Sequence, residues 1–198
     1  MAGLFADEES VLTIEDVCRA RMRNHKGFDV ILTNPPFAGE VRERQVLEAY
    51  ALSANKPRIE RDALFVERCV QLLRPGGRMA IVLPHNKFAS EAFGFLREWL
   101  IRKARVLAVV GLGRNTFLPH THQKASVLFL QKNDDETKPD RDYRVFFAIS
   151  EQDGKNSKGQ LVLRNGCDGS IWDRVDHDLS TVASSFDDFC RKEHLMET

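Results

Sequence analysis

No apolar run in the 198 residues approaches the roughly 20 that a membrane-crossing helix needs. Neither sign of charge dominates, because Lys+Arg and Asp+Glu both number 29. There is therefore no global basic field, and any contact with nucleic acid has to come from local patches. Met1 to Ser10 is acidic and lacks the basic-then-apolar layout of a secretory leader. Cys18, Cys69, Cys167 and Cys190 form no Cys-x-x-Cys pair, and none stands beside a His at metal-ligand spacing. No metal is expected, and scattered thiols suit a reducing cytoplasm. There is no internal repeat and no low-complexity tract.

What is there suits a folded domain. Apolar residues make 42% and charged residues 29%, which separates the chain from disordered ones. The pattern predicts a short helix and loop over 11–26, then a strand from Phe28 to Thr33. The unbroken Val30-Ile31-Leu32 predicts burial on both faces, as in a parallel sheet. A short exposed helix is expected over 41–52. A helix over 61–74 carries an apolar face of Leu64, Phe65, Val66, Cys69, Val70, Leu72 and Leu73, and Pro75-Gly76-Gly77 stops it. Strands follow at 78–83, 106–110, 125–131 and 144–149. Ser90 is placed as the N-cap of a helix reaching Lys103. Residues 111–123 and 132–142 read as loops, 154–159 as a polar turn, and 179–190 as helical. Alternating strands and helices predict an α/β fold. The closely spaced strands near 125 and 144 predict an antiparallel edge on a mostly parallel sheet.

The chemistry concentrates where the first strand ends, at Asn34-Pro35-Pro36-Phe37. An amine on a heteroaromatic ring is a poor nucleophile because its lone pair is delocalised. Two acceptors bonded to its protons favour the pyramidal, reactive form. The Asn34 side-chain oxygen is one such acceptor, and the Pro35 carbonyl is another. Prolines fix φ and bring no competing N–H, and Pro36 biases Pro35 toward extended backbone. Phe37 offers a stacking face, worth about 1–3 kcal/mol per base. Ligands of open α/β sheets sit at the carboxyl ends of the strands. The bland alternative is a proline turn after a strand.

Phe28-Asp29-Val30-Ile31-Leu32-Thr33-Asn34-Pro35-Pro36-Phe37 resembles the signature of S-adenosylmethionine-dependent amino methyltransferases. That signature is shared by DNA adenine-N6, RNA guanine-N2 and protein-glutamine enzymes. Downstream, Asp62-Ala63-Leu64-Phe65-Val66-Glu67-Arg68 and Leu72-Leu73-Arg74-Pro75-Gly76-Gly77-Arg78 through Pro84 are similar to the modification subunit of type I restriction systems. So are Thr116-Phe117-Leu118-Pro119-His120-Thr121, Lys124 to Lys132, and Val145-Phe146-Phe147-Ala148. Related type IIG enzymes share these blocks.

The resemblance covers about residues 28–150. It implies a partial Rossmann-like methyltransferase fold and transfer of a methyl group from S-adenosylmethionine to N6 of adenine. The adenine must first be flipped out of duplex DNA. In that reading Asn34 and Pro35 orient the amine, Pro36 shapes the loop and Phe37 stacks on the base. Phe117 is a candidate second aromatic face. His120, Asn86 and Lys87 are candidates to contact the base or the DNA. Arg42, Arg44, Arg58, Arg61 and Lys56 make a candidate phosphate patch.

The family's glycine-rich cofactor loop has no counterpart in Met1 to Lys26, and Gly111-Leu112-Gly113 reads as a turn rather than a substitute. The expectation is accordingly a catalytic domain without its S-adenosylmethionine-binding half over 1–150, and an extension with a short helix over 151–198. Expected partners are double-stranded DNA, the missing half-domain, and specificity and restriction subunits. No membrane partner is expected, and the expected location is the cytoplasm. Two other functions stay open: an amino methyltransferase for RNA or protein glutamine, and a non-catalytic remnant or partner-binding subunit.

Overall fold

The computed structural model describes residues 27–37, 39–134, 142–165 and 169–195. The expected helix over 11–26, most of the 132–142 loop, Cys18 and Cys167 lie outside them.

The described residues form seven strands: β1 (Phe28–Thr33), β2 (Glu40–Val41), β3 (Ile59–Glu60), β4 (Leu73–Pro84), β5 (Ala104–Gly111), β6 (Ala125–Lys132) and β7 (Phe146–Ile149). The helices are α1 (Arg44–Leu47), α2 (Arg61–Leu72), α3 (Asn86–Ala89), α4 (Gly94–Lys103) and α5 (Leu179–Lys192). The main sheet has the order β1-β4-β6-β5-β7. β1 runs parallel to β4 and β7 parallel to β5, while β6 is antiparallel to both of its neighbours. The α/β class and the mostly parallel sheet are as expected, but the antiparallel strand is internal. β6 returns between β4 and β5 and takes hydrogen bonds on both sides, while β7, read as its partner, pairs with β5.

One face of the sheet is packed by α2 and α4. On β4 the period of two puts Met79, Ile81 and Leu83 into this core, each no more than 2% exposed. Leu64, Val66 and Val70 of α2 and Leu96 and Leu100 of α4 meet them. The other face is covered by α5. Val182, Phe186, Phe189 and Cys190 recur at helical spacing. Phe186 sits 5.5 Å from Phe129 and 5.4 Å from Phe146, and Phe189 sits 5.7 Å from Phe146. Residues 151–195 thus build on the same sheet.

Three local expectations are corrected. β1 is not buried on both faces: Val30 is 58% and Leu32 76% exposed. β1 is an edge strand, and α5 lies over the strands farther in. α2 ends at Leu72, before Pro75, because Leu73 is already extended and 1% exposed. Pro75-Gly76-Gly77 lies inside β4, where the register with β1 shifts between Phe28 and Val30. Finally, Ser90 caps a short 3₁₀ turn over 91–93 by accepting from the Ala92 amide (3.3 Å), and α4 starts only at Gly94.

Candidate functional site

β1, β4 and β5 all run the same way, so their carboxyl ends share one side of the sheet. Thr33 is level with Ile81, and Pro84 and Gly111 both flank the start of β6, at Ala125 and Ser126. Three loops therefore emerge together: 34–39 after β1, 85–90 after β4 and 112–124 after β5. This is the side on which open α/β sheets bind ligands.

In the first loop Asn34 is exposed and Pro35 is buried. Among the described residues no hydrogen bond occupies the Asn34 amide. It is not turned into the apolar interior, which is the condition for gripping a ligand's amine. Phe37 is half-buried and meets Phe117 of the third loop, 80 residues on, with ring centroids 5.2 Å apart and planes at 80°. The edge-on contact shows that the two aromatic candidates face one space. His120 and His122 are exposed on the same loop, where the His120 and Thr121 amides donate to the Phe117 carbonyl (3.0 and 3.1 Å). Asn86 is exposed at the start of α3.

Lys87 departs from its expected role. It is 2% exposed. Its ammonium bonds to Glu60, lies 3.1 Å from Asp62 Oδ2, and rests 3.8 Å above the Phe93 ring. A cation committed to two carboxylates and sealed by an aromatic ring does not meet DNA. Burial pushes the Asp62 carboxyl above the ordinary range, with the Lys87 ammonium working against it. Asp62 Oδ1 has no hydrogen-bond partner. The cluster matters to the site indirectly. The chain leaving Phe37 pairs Glu40 with Glu60, and the Arg61 amide donates to the Gly39 carbonyl (2.9 Å). Lys87 thus ties the loop after β4 to the strand that receives the Asn34–Phe37 loop.

The expected basic patch is largely spent on itself. Arg42 and Arg58 both reach Glu40 (2.9 and 3.4 Å), and Arg44 pairs with Glu48 (2.7 Å). Lys56 lies over the Phe95 ring. The bond from Arg42, working with the Arg58 charge against desolvation, holds the Glu40 carboxyl below its usual value.

Residues the sequence reading passed over also bear on the site. His85 bridges β4 and β6, with Nδ1 3.0 Å from Ser126 Oγ and its amide donating to the Lys124 carbonyl (2.9 Å). Asp153 and Lys155 reach back to the Phe117 loop. The one hint to them was the polar turn following β7.

The described residues do not by themselves fit S-adenosylmethionine, the cofactor implied by the resemblance. In the Gly111-Leu112-Gly113 turn the Leu112 amide already donates to the Ala125 carbonyl (2.9 Å). A Cβ at Gly113 would lie 2.5 Å from the Asp153 side chain. The turn is filled by protein and offers no open cradle. Among the described residues no His, Cys, Asp and Glu cluster suits a metal, and no helix is long and apolar enough to cross a membrane.

A family model described as N-6 DNA Methylase matches residues 7–197. The type II methyltransferase M.TthHB8I of Thermus thermophilus is 34% identical over 90 residues, 40% of this chain and 21% of that protein. The methylase subunit of the type I restriction enzyme EcoEI of Escherichia coli is 31% identical over 105 residues, 52% of this chain and 21% of that protein. The chain thus spans about a fifth of the length of these curated relatives. In structure it is similar to the methyltransferase subunit of a type I restriction-modification system from Streptococcus thermophilus. The TM-score is 0.58 at 22% identity, with 83% of this chain and 32% of that chain covered.

Proposed function

The chain belongs to the N-6 DNA methylase family, and from that premise we propose that it carries the amine-gripping part of an enzyme that methylates N6 of a flipped-out adenine in DNA, within a restriction-modification system. The observation that carries the reading is the Asn34–Phe37 loop at the carboxyl end of β1. It leaves an uncommitted amide at Asn34 and brings the Phe37 ring against Phe117.

In this reading each residue has a role. The Asn34 side-chain oxygen and the Pro35 carbonyl accept from the two N6 protons and draw the nitrogen lone pair out of conjugation. The two phenyl rings replace the stacking that the base loses on leaving the duplex. The rings now touch edge to face, so an entering base parts them and takes over their contacts. In the same reading His120 and Asn86, both exposed on the flanking loops, contact the base or the strand around it. Most of the rate advantage comes from positioning and prearranged dipoles. S-adenosylmethionine supplies the methyl group in this reading. Its pocket needs residues beyond those described, so the part of the described residues is confined to the amine. Double-stranded DNA, a cofactor-binding half-domain, and specificity and restriction subunits are the partners that the reading requires, in a bacterial-type cytoplasm.

Methyl transfer to adenine, measured on the chain reconstituted with a cofactor-binding half, tests the reading. Asn34→Ala is expected to lower kcat about 100-fold or more, the scale for losing one prearranged polar group. DNA affinity should change little. Wild-type turnover in the variant would remove the mechanism.

A further inference from the structure

We propose that Lys155, supported by Asp153, is a positioning residue that sets the direction of the Phe117 ring; the proposal rests on the reading that Phe37 and Phe117 receive the base. Within the loop over 112–124 the bonds near Phe117 are short-range turns, and the Phe117 carbonyl itself accepts from the His120 and Thr121 amides (3.0 and 3.1 Å). The Thr116 amide and hydroxyl both donate to the Gly113 carbonyl (3.3 and 2.8 Å), and the Leu118 amide donates to the Asn115 carbonyl (3.0 Å). The carbonyls of Thr116 and Leu118, one residue to either side of Phe117, are taken by a single group. Lys155 Nζ donates to each at 2.8 Å. A peptide unit is planar, so fixing its carbonyl fixes the whole plane. The plane before the Phe117 Cα carries the Thr116 carbonyl, the plane after it carries the Phe117 carbonyl that accepts from the His120 and Thr121 amides, and the next plane carries the Leu118 carbonyl. Lys155 thus anchors the first and the third and brackets the short stretch that sets the direction of the Phe117 Cα–Cβ bond. Charge-assisted bonds are the stronger kind for such a clamp.

Three further contacts make the clamp a built one. Asp153 Oδ2 accepts from the Asn115 amide at 2.6 Å, and Oδ1 accepts from the Lys155 amide at 3.3 Å, so one carboxylate spans both segments. Asn115 Nδ2 donates to the Lys155 carbonyl (3.2 Å). The segments also touch through their backbones. A Cβ at Gly159 would lie 2.7 Å from the Leu118 carbonyl carbon, and one at Gly113 would strike Asp153. The turn over 153–160 belongs to the extension after β7, yet its polar groups are directed at the loop carrying Phe117. An ammonium engaged with two carbonyls is a poor phosphate contact, so positioning is the role the geometry favours.

Amide hydrogen exchange on the intact chain tests this without needing turnover. Lys155→Met is expected to speed exchange at 115–121 about tenfold or more while amides of β4 and β6 keep their rates, the pattern of a local opening. Lys155→Arg, which keeps a cationic donor, should restore most of the protection. Unchanged exchange at 115–121, or an equal rise throughout β4 and β6, overturns the proposal. If Lys155→Met does not fold, Asp153→Asn carries the same expectation at Asn115 and Lys155, and slow exchange there overturns it. Asn34→Ala separates the two ideas. It should leave 115–121 protected while removing methyl transfer, so the functional reading can fail with the clamp intact, and the clamp can fail with the chemistry intact.

Discussion

Lys87 holds a full charge in a place almost closed to water, with its side chain 1% exposed beside an Asp62 that is 3% exposed. Removing one partner of such a pair leaves the other charge buried alone, which costs about 3–5 kcal/mol. Lys87→Met is expected to lower stability by that amount in urea unfolding, and Lys87→Met with Asp62→Leu should recover most of it. A single variant as stable as the parent would show that the ammonium does not neutralise Asp62. From the sequence, Lys87 looked like a cleft residue because it follows a strand end. Its burial depends on Glu60, Asp62 and Phe93, which come from two other parts of the chain. Asn34 to Phe37 were legible for the opposite reason, since their chemistry is local and four adjacent residues state it. Phe117 was legible as a candidate second aromatic face through the block that it belongs to; its contact with Phe37 is tertiary. Lys155 was legible only as part of a polar turn, because it binds carbonyls, and every residue has one.

Among the elements, the passage from α2 into β4 shows how a short motif is used differently from its plain reading. Pro75-Gly76-Gly77 reads as a helix stop, and the helix has already ended at Leu72. The three residues instead let β4 shift register against β1. Gly76 has φ +70, which favours glycine. At Gly77 a Cβ would lie 2.8 Å from the Phe28 carbonyl and 2.9 Å from that of Arg74. Both are backbone atoms and neither can swing aside. Gly77→Ala is therefore expected to cost about 1–3 kcal/mol, read from urea midpoints, by forcing β1 away from β4. An unchanged midpoint would mean that the two strands separate freely. Other elements were easier. The spacing over 179–190 predicted a helix, and α5 is there, with Phe186 and Phe189 packed against the sheet.

For the molecule as a whole, the arrangement divides the labour of the proposed reaction. The carboxyl ends of β1, β4 and β5 assemble the site for the amine, while Gly111-Leu112-Gly113, the one Gly-x-Gly after a strand, is filled by Asp153. The chain alone is accordingly expected to give no binding heat with S-adenosylmethionine at micromolar concentrations. Calorimetry showing micromolar affinity would mean that a cofactor pocket exists in it after all. Among the described residues β1 is the end strand of the sheet, with Val30 and Leu32 exposed, and an end strand is where other segments or chains pair. A Val-Ile-Leu run promised burial on both faces, and whether each face is covered depends on which elements lie against it.

Local pattern was enough for the α/β class, most helix and strand positions within a few residues, and the place of the Asn34–Phe37 loop at the end of β1, because periodicity and side-chain chemistry act between near neighbours. Folding alone settled where β6 inserts, which cations are sealed inside, and which ring Phe37 meets. Those outcomes turn on hydrogen bonds and packing between segments tens of residues apart, and such contacts leave no mark on either segment until the chain has closed around them.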